Sequence, residues 1–177
     1  MVVDVSGLPW LTVLCLVTGI APFVLVGVLA RYRGKPGVDW FIVSLLFYGG
    51  WCLTYGLSLF VADYELRVAF ETVSWMAFLC IGYPFLGFAL DYTGRSDLRK
   101  SWLFAALGLG PAVGVVLVAT NAWHGLVWQN PTIVRAYDAV LFDYAIQPLG
   151  FAAASVGLTY SGIAVLLLLD TVLNYGP

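Results

Sequence analysis

The chain has 177 residues, 62% of them hydrophobic and only 10% charged, with a mean hydropathy of +0.93 and a formal charge of −2. A soluble domain carries about 25% charged residues, and water around this composition would face more apolar surface than a soluble monomer tolerates. A soluble globular protein and a disordered one are excluded, and eight Lys and Arg against ten Asp and Glu leave no basic face for nucleic acid.

What remains is an all-α, polytopic membrane protein. Runs of about 20 apolar residues define spans, and the sequence places five, at 9–30, 38–62, 68–90, 101–120 and 144–169. The runs are continuously apolar, whereas barrel strands alternate in segments of about ten. The first reads as a span and not as a cleavable signal, because only Asp4 precedes it, with no Lys or Arg. Arg31, Arg33 and Lys35 follow span one, and Arg95, Arg99 and Lys100 follow span three. The remaining loops hold one basic residue each, Arg67 and Arg135. The excess of cations predicts that the first two of these loops are cytoplasmic, with the N-terminus outside and the C-terminus inside the cell membrane. Asp4, Asp63, Glu65, Asp138 and Asp143 then form an acidic outer surface. Trp10, Trp40, Trp102, Trp123 and Trp128 fall near span ends, where amphipathic rings favour the headgroup level. The one long loop, 121–143, holds Pro131 and the β-branched Thr132, Ile133 and Val134, which suits a small outer hairpin or a surface-lying segment. Residues 1–177 read as a single domain without linker or repeat.

Along span two, Ser44, Tyr48, Trp51, Tyr55 and Ser58 recur at spacings of four and three and share one helical face. Such a face belongs inside the bundle, either as ordinary aromatic packing or as a pocket for a small apolar or aromatic ligand. In span three, Glu71 is the most unusual ionisable residue, with Arg67 four before it and Ser74 three after. A carboxylate there either serves the helix dipole or senses a ligand, proton or cation. Pro22, Pro84 and Pro111 interrupt spans and free the carbonyls of Thr18, Cys80 and Leu107. Small residues mark packing faces: Gly110 and Gly114 in span four, and Gly150, Ala154, Gly157, Ser161 and Ala164 in span five. His124, the lone histidine, sits beside Trp123 at the outer end of span four, as an interfacial cap or a pH-responsive contact. Trp51, Tyr55, Glu71 and His124 are therefore the candidate ligand-side residues.

Other chemistry finds no carrier. Cys15, Cys52 and Cys80 lie in apolar runs without metal-ligand spacing. The only lysines, Lys35 and Lys100, sit at span edges, so no retinal Schiff base is available. No phosphate-binding loop, nucleophile elbow or zinc motif occurs, so neither an enzyme nor a bound cofactor or metal is expected.

Four strings carry a family resemblance. Residues 31–37 (RYRGKPG) resemble the first inner loop of the seven-helix N-terminal sensor region of archaeal and bacterial histidine kinases. Residues 70–75 (FETVSW) are similar to the opening of its third helix, 90–95 (LDYTGR) to the inner end of that helix, and 120–128 (TNAWHGLVW) to the outer end of its fourth. The resemblance implies an input module of a two-component system, without catalysis of its own, that passes a signal to cytoplasmic PAS-type and kinase parts. It also implies two further helices, and the chain reaches Pro177 just after span five, which reads as a fragment, a truncated product or a stand-alone remnant. The expected partners are the lipid bilayer, a kinase or PAS-type module and a second copy of the chain, and not nucleic acid. A small transporter or channel subunit and a membrane scaffold are the competing readings.

Overall fold

A computed structural model of the protein describes residues 10–136 and 139–175. Asp4 and Asp138, assigned above to the outer surface, lie outside the described residues, as does Pro9. The elements are α1 (Trp10–Leu29), a 3-10 turn (Ala30–Tyr32), α2 (Val38–Ser58), α3 (Tyr64–Tyr92), α4 (Ser96–Lys100), α5 (Trp102–Leu107), α6 (Leu109–Ala119), α7 (Asn121–His124), β1 (Trp128–Ala136), β2 (Ala139–Ile146) and α8 (Pro148–Tyr175). Five helical stretches are long and apolar enough to cross a membrane: Trp10–Tyr32, Val38–Ser58, Tyr64–Tyr92, Trp102–Ala119 and Pro148–Asn174.

The bundle is built around α3, the most buried of these stretches. Helix α2 packs along one side of it, with α1 behind α2, and α6 and α8 pack along the other. The outward faces of α1 and α8 present large apolar side chains such as Val17, Val24, Leu158 and Leu166, as lipid contact requires. One core cluster gathers Leu86, Ala89, Leu90, Phe104, Tyr160 and Ala164, and a second, nearer the hairpin, gathers Leu79, Val118, Val127 and Trp128.

Several span limits move, each for a local reason. Helix α2 stops at Ser58, four residues before the expected end, because Phe60 and Val61 turn back onto the carbonyls of Leu57 and Ser58. Helix α3 begins at Tyr64, four residues early, because the Asp63 side chain accepts the Leu66 N–H at 2.9 Å. Arg67, assigned to a loop by composition, is therefore inside the helix and buried. At the other end of α3, Gly94 takes the left-handed φ of +74° that stops a helix cleanly, and Arg95 N–H returns to Leu90 O.

The fourth span is not one rod. It breaks at Gly108, whose N–H turns to the Ala105 carbonyl, and Pro111 withholds the next bond. Two tyrosine hydroxyls take up the released acceptors: Tyr83 donates to Phe104 O at 3.2 Å and Tyr160 to Leu107 O at 2.9 Å. Beside Pro84, Ser44 donates to Ile81 O at 3.3 Å. The fifth span begins at Pro148 and not at Tyr144, because Tyr144–Ile146 belong to strand β2.

The long loop is an antiparallel hairpin, with Thr132 opposite Asp143 and Val134 opposite Leu141. Its register shifts between Gln129 and Thr132, at Asn130 (φ +52°) and Pro131, where a proline cannot serve the ladder. Gln147 N–H donates to Val127 O and closes the base of the hairpin, and Val140 N–H donates to Leu59 O and ties it to the end of α2.

A candidate signal-input site

The hairpin end of the bundle holds the unusual chemistry. Along α3, Arg67, Glu71 and Ser74 share a face and are all buried, Arg67 to 1% exposure and Glu71 to 5%. Strand β2 brings Tyr144 over that face. The Trp75 Nε1–H donates to the Tyr144 hydroxyl at 2.7 Å, and that hydroxyl donates to Glu71 Oε1, also at 2.7 Å. Burial, and then the neighbouring Glu71 carboxylate, push the Tyr144 hydroxyl well above its ordinary range. Tyr144 thus stays neutral and keeps its O–H as a donor to Glu71.

Arg67 completes the cluster without a close bond. Its Nη2 lies 4.0 Å from Glu71 Oε2, its Nε and Nη1 are buried without a hydrogen-bond partner, and its guanidinium sits 5.7 Å from the Phe142 ring centroid. A charge this buried is costly unless compensated, and Glu71 supplies the compensation. Tyr55 of α2 lies within electrostatic reach of both. Around this centre, Trp75 packs against Trp128 at 5.7 Å and Phe78 at 6.2 Å, and Phe78 against Trp51 at 5.2 Å. A continuous aromatic path therefore joins the hairpin, α3 and α2.

Of the four candidate residues, Glu71 is at the centre, Tyr55 is beside it, and Trp51 is reached through Phe78. His124 is placed apart: its Nδ1 accepts the Leu126 N–H at 2.9 Å and its Nε2 meets Thr120 Oγ1 at 3.0 Å, which fixes the turn after α6. Trp40 and Trp128 are packed inward. Trp40 stands edge-on to Tyr83 and Phe104, and Trp128 is only 4% exposed. Trp10, Trp102 and Trp123 are strongly exposed.

Gly150 and Gly157 of span five approach other parts of the same chain closely. Gly150 lies against Val127 O and Gly157 against α3, where its backbone is so near Gly82 that a Cβ on Gly82 would fall 2.2 Å from Gly157 O. Gly110 faces Val156 and Tyr160, Gly114 faces Leu79 and Ala153, and Ala164 is fully buried. Ala154 is half-buried, and Ser161 donates to Gly157 O within its own helix.

A cavity of about 580 Å³ opens beside the cluster, between the start of α3, the α6–α7 junction and the base of β1. At the opposite end, Arg33–Asp39, Arg95–Asp170 and Arg99–Asp91 pair the basic loops with three of the carboxylates there. Cys15, Cys52 and Cys80 are free and half-buried, and no group of three His, Cys, Asp or Glu able to hold a metal occurs among the described residues.

Fold and site together define a multi-pass helical membrane protein with a buried polar centre under an extramembrane hairpin. Residues 14–176 match the family described as the N-terminal 7TM region of histidine kinase, and the chain belongs to that family of kinase sensor regions. No curated protein and no solved structure gives a significant match.

Proposed function

We propose that the chain is the membrane-embedded input module of a two-component system, in the cell membrane, and that it works without catalysis of its own. The hairpin end faces outside, and the six basic residues of the two opposite loops face the cytoplasm. A stimulus at the hairpin shifts the bundle between two packings, and the ends of α3 and α8 report the change to a kinase or PAS-type module, in a homodimer. The observation that carries this reading is the Trp75–Tyr144–Glu71 chain, which ties an extramembrane strand to the central helix. Breaking this polar chain loosens strand β2 from α3, while the Val140–Leu59 bond still holds the hairpin to the end of α2. The central position of α3 then spreads the change to α2 on one side and to α6 and α8 on the other.

The test uses the intact kinase that carries this region, in membrane vesicles. Glu71→Gln and Trp51→Ala each alter the rate of autophosphorylation by about threefold or more, since a shift of under 1 kcal/mol in a two-state balance has that size. Unchanged phosphorylation in both variants, with normal membrane insertion, removes the cluster from signalling.

A further inference from the structure

We infer that the cavity at the hairpin end is a binding site for a small amphipathic organic cation. It is lined on α3 by Tyr64, Glu65, Val68 and Thr72, and it is closed by Val118 and Trp128 beneath and by Gln129 and Asn130 at the rim. Its volume of about 580 Å³ lies within the range of small-molecule sites, roughly 300–1,000 Å³. No Lys, Arg or His belongs to its lining, and Glu65 is its one charged residue. No ion pair among the described residues engages Glu65. At the rim the Gln129 amide donates one N–H to Gly125 O, and no hydrogen bond in the structure takes up its oxygen. Asn121 is fully used in holding the chain, with its oxygen on the N–H groups of Val127 and Trp128 and its nitrogen on Trp128 O.

These features select one chemistry. An anion would meet a carboxylate and no cation. A wholly apolar molecule would gain nothing from the carboxylate and amide oxygens. A positively charged head satisfies Glu65 beside the exposed Tyr64 ring, while an apolar body lies along Val68, Val118 and Pro131. The floor of the cavity is also the roof of the polar centre. Trp128 stands 5.7 Å from Trp75 and 5.8 Å from Tyr144, so an occupant that moves Trp128 moves both groups joined to Glu71. The inference gives the input module a ligand class, and in that sense it rests on the sensory reading. Binding itself is measured on this chain without any kinase.

The experiment titrates the purified chain in lipid nanodiscs with benzyltrimethylammonium and, separately, with its uncharged carbon isostere neopentylbenzene, following tryptophan fluorescence and binding heat. The cation saturates and binds at least about tenfold more tightly than the isostere, the scale of a cation–π contact with a partly screened carboxylate. Glu65→Gln, at an exposed position, weakens cation binding by at least about threefold, the carboxylate's share of that preference, and leaves the isostere unchanged. Ala122→Trp, at the exposed rim, blocks the cation. Equal binding of the two probes, no saturable binding of either, or full cation affinity in Glu65→Gln overturns the assignment. A cation that binds as expected but leaves the intact kinase unaffected keeps the site and defeats the sensory reading.

Discussion

Glu71 and Tyr144 are 73 residues apart in sequence and share a proton donor and acceptor at 2.7 Å, with the carboxylate shielded from solvent. Tyr144→Phe keeps the ring in the aromatic cluster and deletes only the hydroxyl. It leaves Glu71 Oε1 and the Trp75 N–H unpaired, and the loss is about 1–2 kcal/mol. Amide exchange in β1 and β2 then accelerates roughly 5- to 30-fold, while the helical core exchanges as before. Uniform acceleration throughout the protein would mean that the bond stabilises the whole bundle and is no local latch. The pH response follows from the raised ionisation of Tyr144. Its folded pKa exceeds the unfolded value of about 10, so the bond's contribution is complete below that pH and is lost as pH climbs through the folded value. Tyrosinate absorbance should therefore show a group that titrates later than the other tyrosines and vanishes in Tyr144→Phe. A wild-type curve identical to the variant's, apart from one ordinary tyrosine, excludes the buried assignment.

At the level of the helices, close approach is decided by one residue of each pair. A Cβ on Gly82 meets the Gly157 carbonyl oxygen at 2.2 Å, a backbone atom that cannot swing aside, whereas a Cβ on Gly162 meets nothing within 4 Å. Gly82→Ala should destabilise the α3–α8 contact by about 1–3 kcal/mol, and Gly162→Ala should be neutral or gain up to about 1 kcal/mol from helix propensity. Unfolding in mixed micelles compares them, and equal effects would show that α3 and α8 do not cross there. Tyr160→Phe should cost about 1 kcal/mol in the same assay, because the Leu107 carbonyl released by Pro111 loses its donor. The small-residue stripe of span five and the carbonyl freed at Leu107 were both legible as patterns of spacing and of proline. Gly82 was not, because a single glycine opposite a distant stripe has no periodicity of its own. Tyr144 was hidden for a different reason. It stands in an apolar run that continues into α8, and hydropathy does not distinguish a strand covering a bundle from the first turn of a span. Glu71 stood out because a carboxylate inside an apolar run is rare, and Arg67 was misplaced because charge alone assigned it to a loop.

Over the whole molecule, charge and architecture point to the same axis. Arg33, Arg95 and Arg99 gather at one end, each paired with Asp39, Asp170 or Asp91, with Lys35 and Lys100 near them. The hairpin, the Glu71 centre and the cavity that holds Glu65 lie at the other end. Translocating the basic end would carry six cations through the bilayer in two short loops, whereas translocating the hairpin end carries mostly carboxylates and backbone already paired in a ladder. The orientation is tested by replacing Cys15, Cys52 and Cys80 with alanine and adding single cysteines at Arg33, Ser96 or Gln129. A membrane-impermeant maleimide applied to intact cells should label Gln129→Cys at once, and should label Arg33→Cys and Ser96→Cys only after permeabilisation. Labelling of Arg33→Cys and Ser96→Cys from opposite sides would break the five-span arrangement itself. Labelling of both from outside, with Gln129→Cys protected, would keep the bundle and invert it. The hairpin would then face the cytoplasm, where it could not meet an external stimulus, and the route from the hairpin to α3 would have to run outward from a cellular signal.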